Sequence, residues 1–210
     1  MADFQKMIDA LIEGDENRVA SLVQSALDEG DSAKEILDKG LIAGMDIVGE
    51  KMEAEDMFIP EVLRSAKIMS SAIDIIKPLL SEADFRAAGK VVIGTVKGDL
   101  HDIGKNLVAM MLEIAGFDVY NLGVDVPPDR FVEEVKEKDP DMLCLSALLT
   151  TTMPMMKTTI DAMVESGLRD QVKVMIGEVP VSQDFADEIG ADGYAPEAGS
   201  ATKLAKALLQ

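Results

Sequence analysis

The one histidine of this 210-residue chain, His101, stands among carboxylates in the segment Gly98-Asp99-Leu100-His101-Asp102-Ile103-Gly104-Lys105-Asn106. A carboxylate that accepts a hydrogen bond from one ring nitrogen fixes the tautomer and leaves the other nitrogen to coordinate a metal or move a proton. Asp99 and Asp102 are both placed to do this, and Gly104 permits close approach where a helix is expected to begin. These residues alone leave three readings: a metal ligand, an acid–base group, or a solvated structural histidine. Cys144 is the only cysteine and lies in the apolar run MLCLSALL. It reads as core packing, and it excludes both an intrachain disulfide and a cysteine-cluster metal site.

The elements that must position His101 follow from a change of periodicity along the chain. Residues 1–84 carry apolar positions at three- and four-residue spacing, broken at Gly/Asp punctuation, which predicts a four-helix bundle. Asp15 and Ser32 are N-cap candidates, and Glu35 completes a capping box with Ser32. Leu41, Met45, Val48 and Met52 form one apolar stripe, and Val62, Ala66, Met69, Ile73, Ile76 and Leu80 form another. The segment 81–90, SEADFRAAGK, loses the period, so the helical domain 1–84 is expected to end in a linker at 85–90. From residue 91 to 210, short β-branched or apolar runs alternate with helical segments. The expected fold class is therefore α/β: a helical cap followed by a flavodoxin-like (Rossmann-like), doubly wound parallel sheet of five strands in the order 2-1-3-4-5.

That order carries a functional consequence. Ligands of open parallel sheets bind beyond the carboxyl ends of the strands, where the strand order reverses. Here the reversal lies between the first and third strands, so the loop 98–106 should meet the loop 146–153, SALLTTTM.

Composition narrows the classes of function. The chain has 39 acidic and 20 basic residues, a formal charge of −19, and such a surface repels phosphate backbones. Nucleic acid is not an expected partner. No run approaches the roughly 18 apolar residues of a membrane helix, and the start lacks signal-peptide features, so no membrane association and a cytoplasmic location are expected. Aromatic residues make up only 4%, and the 14 methionines fill core space in their place.

The pattern Asp99-Leu100-His101-Asp102-Ile103-Gly104 resembles the D-x-H-x-x-G fingerprint of cobalamin-binding domains in which a histidine replaces the cofactor's own base on cobalt. The family's S-x-L motif after the third strand is matched by Ser146-Ala147-Leu148, and its following hydroxyl by Thr150 and Thr152. Residues 40–69, GLIAGMDIVGEKMEAEDMFIPEVLRSAKIM, are similar to the helical cap of methionine synthase and of corrinoid proteins in methylotrophic methyltransferase systems. The resemblance thus covers essentially the whole chain.

It implies a cobalamin or related corrinoid, with His101 as the lower axial ligand to cobalt. Asp99 and Thr152 would extend a relay that tunes this coordination. Asp102, Ile103, Gly104, Ser146, Ala147, Leu148, Thr150 and Gly177 would line the cofactor site, the small residues making room for its nucleotide tail. Met52 and Ile59 would face the upper, methyl-bearing side, and the 81–90 segment would act as a hinge for the cap. Met52 departs from the aromatic residue of methionine synthase. A second departure is Glu178, which stands where the family shows a second glycine after the fourth strand.

The implied function is a methyl carrier, a component that does not act as an independent enzyme. It would serve a substrate:corrinoid methyltransferase acting on methanol, a methylamine, a betaine or a methoxylated aromatic. The other implied partners are a corrinoid:tetrahydrofolate or corrinoid:thiol methyltransferase and a reductive activator. A cobalamin-dependent sensor without turnover is the alternative, and no basic DNA-binding region accompanies it. The small subunit of an adenosylcobalamin mutase is disfavoured by the cap.

Overall fold

A computed structural model describes residues 3–80 and 88–209. The chain divides into two compact units, Met1–Arg86 and Ala87–Gln210. Most of the expected linker and hinge segment, residues 81–87, lies outside the described residues.

The first unit is helical. Helix α1 spans Phe4–Glu13 and α2 spans Glu16–Asp28, the latter capped by Asp15, whose side chain accepts from the Arg18 backbone N–H at 3.0 Å. The capping box at Ser32 is present: the Glu35 N–H donates to Ser32 Oγ, and the Ser32 N–H donates to Glu35 Oε2. It opens α3, Ala33–Glu35, which continues through a π-helical stretch, Ile36–Ile42, into α4, Ala43–Glu53. The expected third helix is therefore one continuous run with a widened middle. A three- and four-residue apolar pattern does not reveal such a stretch, because the apolar positions on either side keep their spacing. Helix α5, Ile59–Ile76, is the fourth of the bundle, and the Phe58 N–H at its start donates to Glu61 Oε2 at 2.9 Å. Leu41, Met45, Val48, Val62, Ala66, Met69 and Ile76 are all buried. Met52 and Ile73 are half-buried, at the margin of their stripes.

The second unit alternates strand and helix without exception. In chain order it contains β1 (Lys90–Thr95), α6 (Ile103–Ile114), β2 (Asp118–Asn121), α7 (Pro128–Lys138), β3 (Met142–Ser146), α8 (Pro154–Glu165), β4 (Lys173–Gly177), α9 (Gln183–Ile189), β5 (Gly193–Ala195) and α10 (Ala198–Leu208). All pairings are parallel, in the order β2-β1-β3-β4-β5. The strands read as continuous apolar runs because both faces are covered. Val92, Leu143, Leu145, Val174 and Ile176 join Phe131, Met156, Ile160 and Ile189 on one face. Val91, Ile93, Met142, Cys144 and Met175 join Leu112, Phe117, Ala201 and Ala205 on the other. Burial pushes the Cys144 thiol up to about 12, so it packs as a small apolar side chain.

Register then fixes the site. Thr95 pairs with Ser146, and Ser146 with Gly177, so β1, β3 and β4 end side by side and their following loops leave from neighbouring points.

Candidate functional site

The loop after β1 is held from below before it presents anything. Thr95 Oγ1 donates to the His101 carbonyl at 2.8 Å, the Gly98 N–H donates to Asp125 Oδ1 at 2.7 Å, and the Asp125 N–H donates to the Asp99 carbonyl at 3.0 Å. Neither Thr95 nor Asp125 was marked by the sequence pattern. Each acts through backbone groups of the loop, which leaves no spacing signature.

Asp99 is the centre of the arrangement. Its side chain is fully buried and accepts five hydrogen bonds. Oδ1 takes the His101 ring Nδ1 at 2.7 Å and the His101 N–H at 3.1 Å. Oδ2 takes Thr152 Oγ1 at 2.6 Å and the backbone N–H groups of Leu148 and Leu149 at 2.9 and 3.3 Å. Burial alone would raise this carboxyl's pKa. The Thr152, His101 and Leu148 donors outweigh it and hold the group well below the usual carboxylate range.

An ionised Asp99 requires that Nδ1 of His101 carry a proton, so the neutral ring presents its lone pair at Nε2. Nε2 makes no hydrogen bond among the described residues, and the side chain is 46% exposed. The same two loops also present large apolar side chains to solvent: Leu100 at 71%, Ile103 at 77% and Leu149 at 41%. Leu100 and Leu149 were missed by motif reading, although bulky apolar residues in a polar loop are themselves a signal.

The expected site residues fall into groups. Asp99, His101, Leu148 and Thr152 form one hydrogen-bonded cluster joining the loops after β1 and β3. Thr150 is exposed and outside it, so Thr152 is the hydroxyl that engages the carboxylate. Asp102 does not touch the imidazole; it precedes α6 and accepts from Asn106 Nδ2 at 3.1 Å. Ala147 is fully buried beside Ser146. Met52 and Ile59 belong to the helical unit, where Ile59 is 42% exposed.

Two glycines have different reasons. A Cβ on Gly177 would come within 2.8 Å of the Ala195 carbonyl oxygen, so the close approach of β5 already requires glycine there. A Cβ on Gly104 would lie 2.2 Å from Glu178 Oε1. Glu178 bends back over Gly104, and Ser146 Oγ donates to its Oε2 at 2.5 Å. Its backbone is in the left-handed region, with φ 78°, which a β-carbon makes costly.

Lys105 is a further buried group that composition conceals. It is 2% exposed, and its Nζ donates to Asn106 Oδ1 and Asn121 Oδ1 at 2.5 and 2.8 Å. Burial pushes its pKa down, and the charges of Asp102 and Glu178 offset part of that effect.

Among the described residues no group of three His, Cys, Asp or Glu side chains is placed to hold an ion, and the loops after β1 and β3 present one oriented imidazole at the point where the strand order reverses.

Residues 89–203 match the B12 binding domain family, and residues 3–77 match a second family of the same description. The chain is 44% identical to trimethylamine corrinoid protein 1 of Methanosarcina acetivorans, over 97% of this chain and 95% of that one. A cobalamin-binding protein from Desulfitobacterium hafniense superposes with a TM-score of 0.87 at 35% identity, covering 99% of both chains. A chain of the methanol:cobalamin methyltransferase complex from Methanosarcina barkeri gives 0.82 at 34% identity, covering 98% of this chain and 79% of that chain. The chain belongs to the corrinoid proteins of the B12-binding family, and its cofactor is a corrinoid. Among the described residues, no helix is long and apolar enough to cross a membrane.

Proposed function

We propose that this protein carries a methyl group on a corrinoid whose lower axial ligand is His101. The carrying observation is the relay Thr152–Asp99–His101, which buries and ionises the carboxylate, protonates Nδ1 and leaves Nε2 open. When bound, the corrinoid supplies a cobalt centre that accepts the methyl group and gives it up.

The chain's residues then have distinct roles. Asp99 orients the ring and holds the proton on Nδ1, so that the strength of Nε2 as a donor depends on how far that proton is shared. Thr152 holds Asp99 against rotation, while Leu148 and Leu149 bind the same oxygen through their backbones. Leu100, Ile103 and Leu149 offer exposed apolar surface on the same loops, which a bound corrinoid would cover. Ser146 and Gly104 border the carboxyl end of the sheet with Asp102 and Thr150, Ala147 is buried beside Ser146, and Met52 and Ile59 of the helical unit are the residues we assign to the methyl-bearing side.

One partner methyltransferase loads the methyl group, a second removes it to tetrahydrofolate or a thiol, and a reductive activator restores the cobalt. We place this exchange in the cytoplasm. The relatives named for methylated amines and methanol make a methylated amine the donor to test first.

The test is spectroscopic. Protein loaded with aquacobalamin should show histidine coordination, and after reduction iodomethane should convert it to the methylated spectrum. His101→Ala should bind with a spectrum lacking the axial nitrogen; unchanged coordination in that variant overturns the ligand assignment.

A further inference from the structure

The loop after β4 sends one side chain back toward the loops after β1 and β3. Gly104 at the start of α6 and Ser146 at the end of β3 both adjoin it at the carboxyl end of the sheet. The Glu178 carboxylate sits between them. Its Oε1 lies so close to Gly104 that a Cβ there would clash with it, and its Oε2 is held by Ser146 Oγ at 2.5 Å. No helix cap or ladder pairing requires a glutamate here, and its φ of 78° is one that glycine adopts at far lower cost. A glutamate on a backbone conformation that favours glycine, with its carboxylate set between Gly104 and Ser146, is explained by what that carboxylate does there.

We propose that Glu178 gates the route by which the corrinoid's nucleotide tail enters the sheet unit, an inference that rests on the cofactor reading above. In the closed arrangement its side chain bridges Gly104 and Ser146. Admission of the tail requires the side chain to rotate out, which breaks the Ser146–Glu178 hydrogen bond and releases Ser146 Oγ. The rotation needs no change in the strands, because Glu178 lies one residue beyond β4. The gate acts on the tail and not on the corrin ring. The chain therefore discriminates among corrinoids by what hangs below the ring, and only a corrinoid with a tail needs the side chain to move.

The experiment titrates the full-length apoprotein with aquacobalamin, which carries a nucleotide tail, and with diaquacobinamide, which has none. Binding is followed by calorimetry and by the visible spectrum. Glu178→Gly, which suits the left-handed backbone, should bind cobalamin about tenfold or more tightly than the parent, as expected when a hydrogen bond to a charged group no longer has to be broken. Its affinity for cobinamide should stay within about twofold. Glu178→Gln, of equal length, keeps the side chain in place through a weaker neutral hydrogen bond and should gain less in cobalamin affinity than Glu178→Gly, with cobinamide unchanged.

Equal cobalamin affinity in the parent and Glu178→Gly overturns the gate, as does an equal gain for both corrinoids or a Glu178→Gln that binds like Glu178→Gly. In those cases a retained histidine-coordinated spectrum leaves the cofactor reading standing. Failure of the parent and every variant to take up either corrinoid removes the cofactor reading and the gate together.

Discussion

Two carboxylates stand at the same end of the sheet, Asp99 after β1 and Glu178 after β4, and their surroundings are opposite. Asp99 is fully buried, accepts five hydrogen bonds and is locked between two loops. Glu178 is half-buried, accepts one side-chain hydrogen bond and sits on a backbone conformation that opposes it. A buried ion with all of its acceptor sites used cannot move without stranding several donors, whereas one with a single partner moves at the cost of that partner. The site therefore combines a rigid half, which sets the orientation of the His101 ring, with a yielding half beside it.

The contrast can be broken most severely at Asp99. Asp99→Ala leaves the Leu148 and Leu149 amides and Nδ1 without their acceptor, with the Thr152 hydroxyl falling back on the Leu149 carbonyl, and should destabilise the sheet unit by about 3 kcal/mol in denaturant titrations. Exchange at the Leu148 and Leu149 amides should accelerate with it. The pH dependence carries the same information. Folding holds this carboxyl below its ordinary 3.8, so on acidification the unfolded chain takes up the proton first. The contribution is complete above about pH 4 and is lost as the pH falls below that toward the lower folded value. Asp99→Asn should flatten this part of the acid unfolding curve.

Thr152→Val probes the rigid half more gently. It removes one donor at nearly constant volume and should cost about 1–2 kcal/mol, with the Asp99 carboxyl titrating closer to its ordinary value by NMR. The smallest effect belongs to the yielding half. Glu178→Ala and Glu178→Gly lose the same hydrogen bond and differ in backbone strain, so Glu178→Gly should be the more stable by about 1 kcal/mol in thermal unfolding. Equal stabilities would remove the strain from the comparison.

The same contrast explains what was legible in the sequence. Strand order followed from the alternation of apolar runs and helices, and the Asp99-His101-Gly104 spacing located the loop, because both are patterns of side chains along the chain. The donors from Leu148 and Leu149 were invisible, since every residue but proline offers a backbone N–H. Lys105 carried no signal in the sequence; its burial comes from packing near the start of α6, with its Nζ held by Asn106 and Asn121. Glu178 was visible as a departure from a glycine. Its positive φ, and the return of its side chain onto Gly104, depend on the turn between β4 and α9 and have no periodic trace. Gly177 shows the converse: a glycine assigned to cofactor space is already required by the Ala195 carbonyl of the neighbouring strand.

The solitary imidazole also protects the empty protein. Zinc and copper ions are captured by several protein donors acting together, and one nitrogen offers them no chelation. With a single histidine, a single buried cysteine and an aspartate whose oxygens are already committed, the freshly made chain is a poor scavenger of loose transition metals. On the proposed reading, metal selectivity would rest with the macrocycle and not with the protein's own donors.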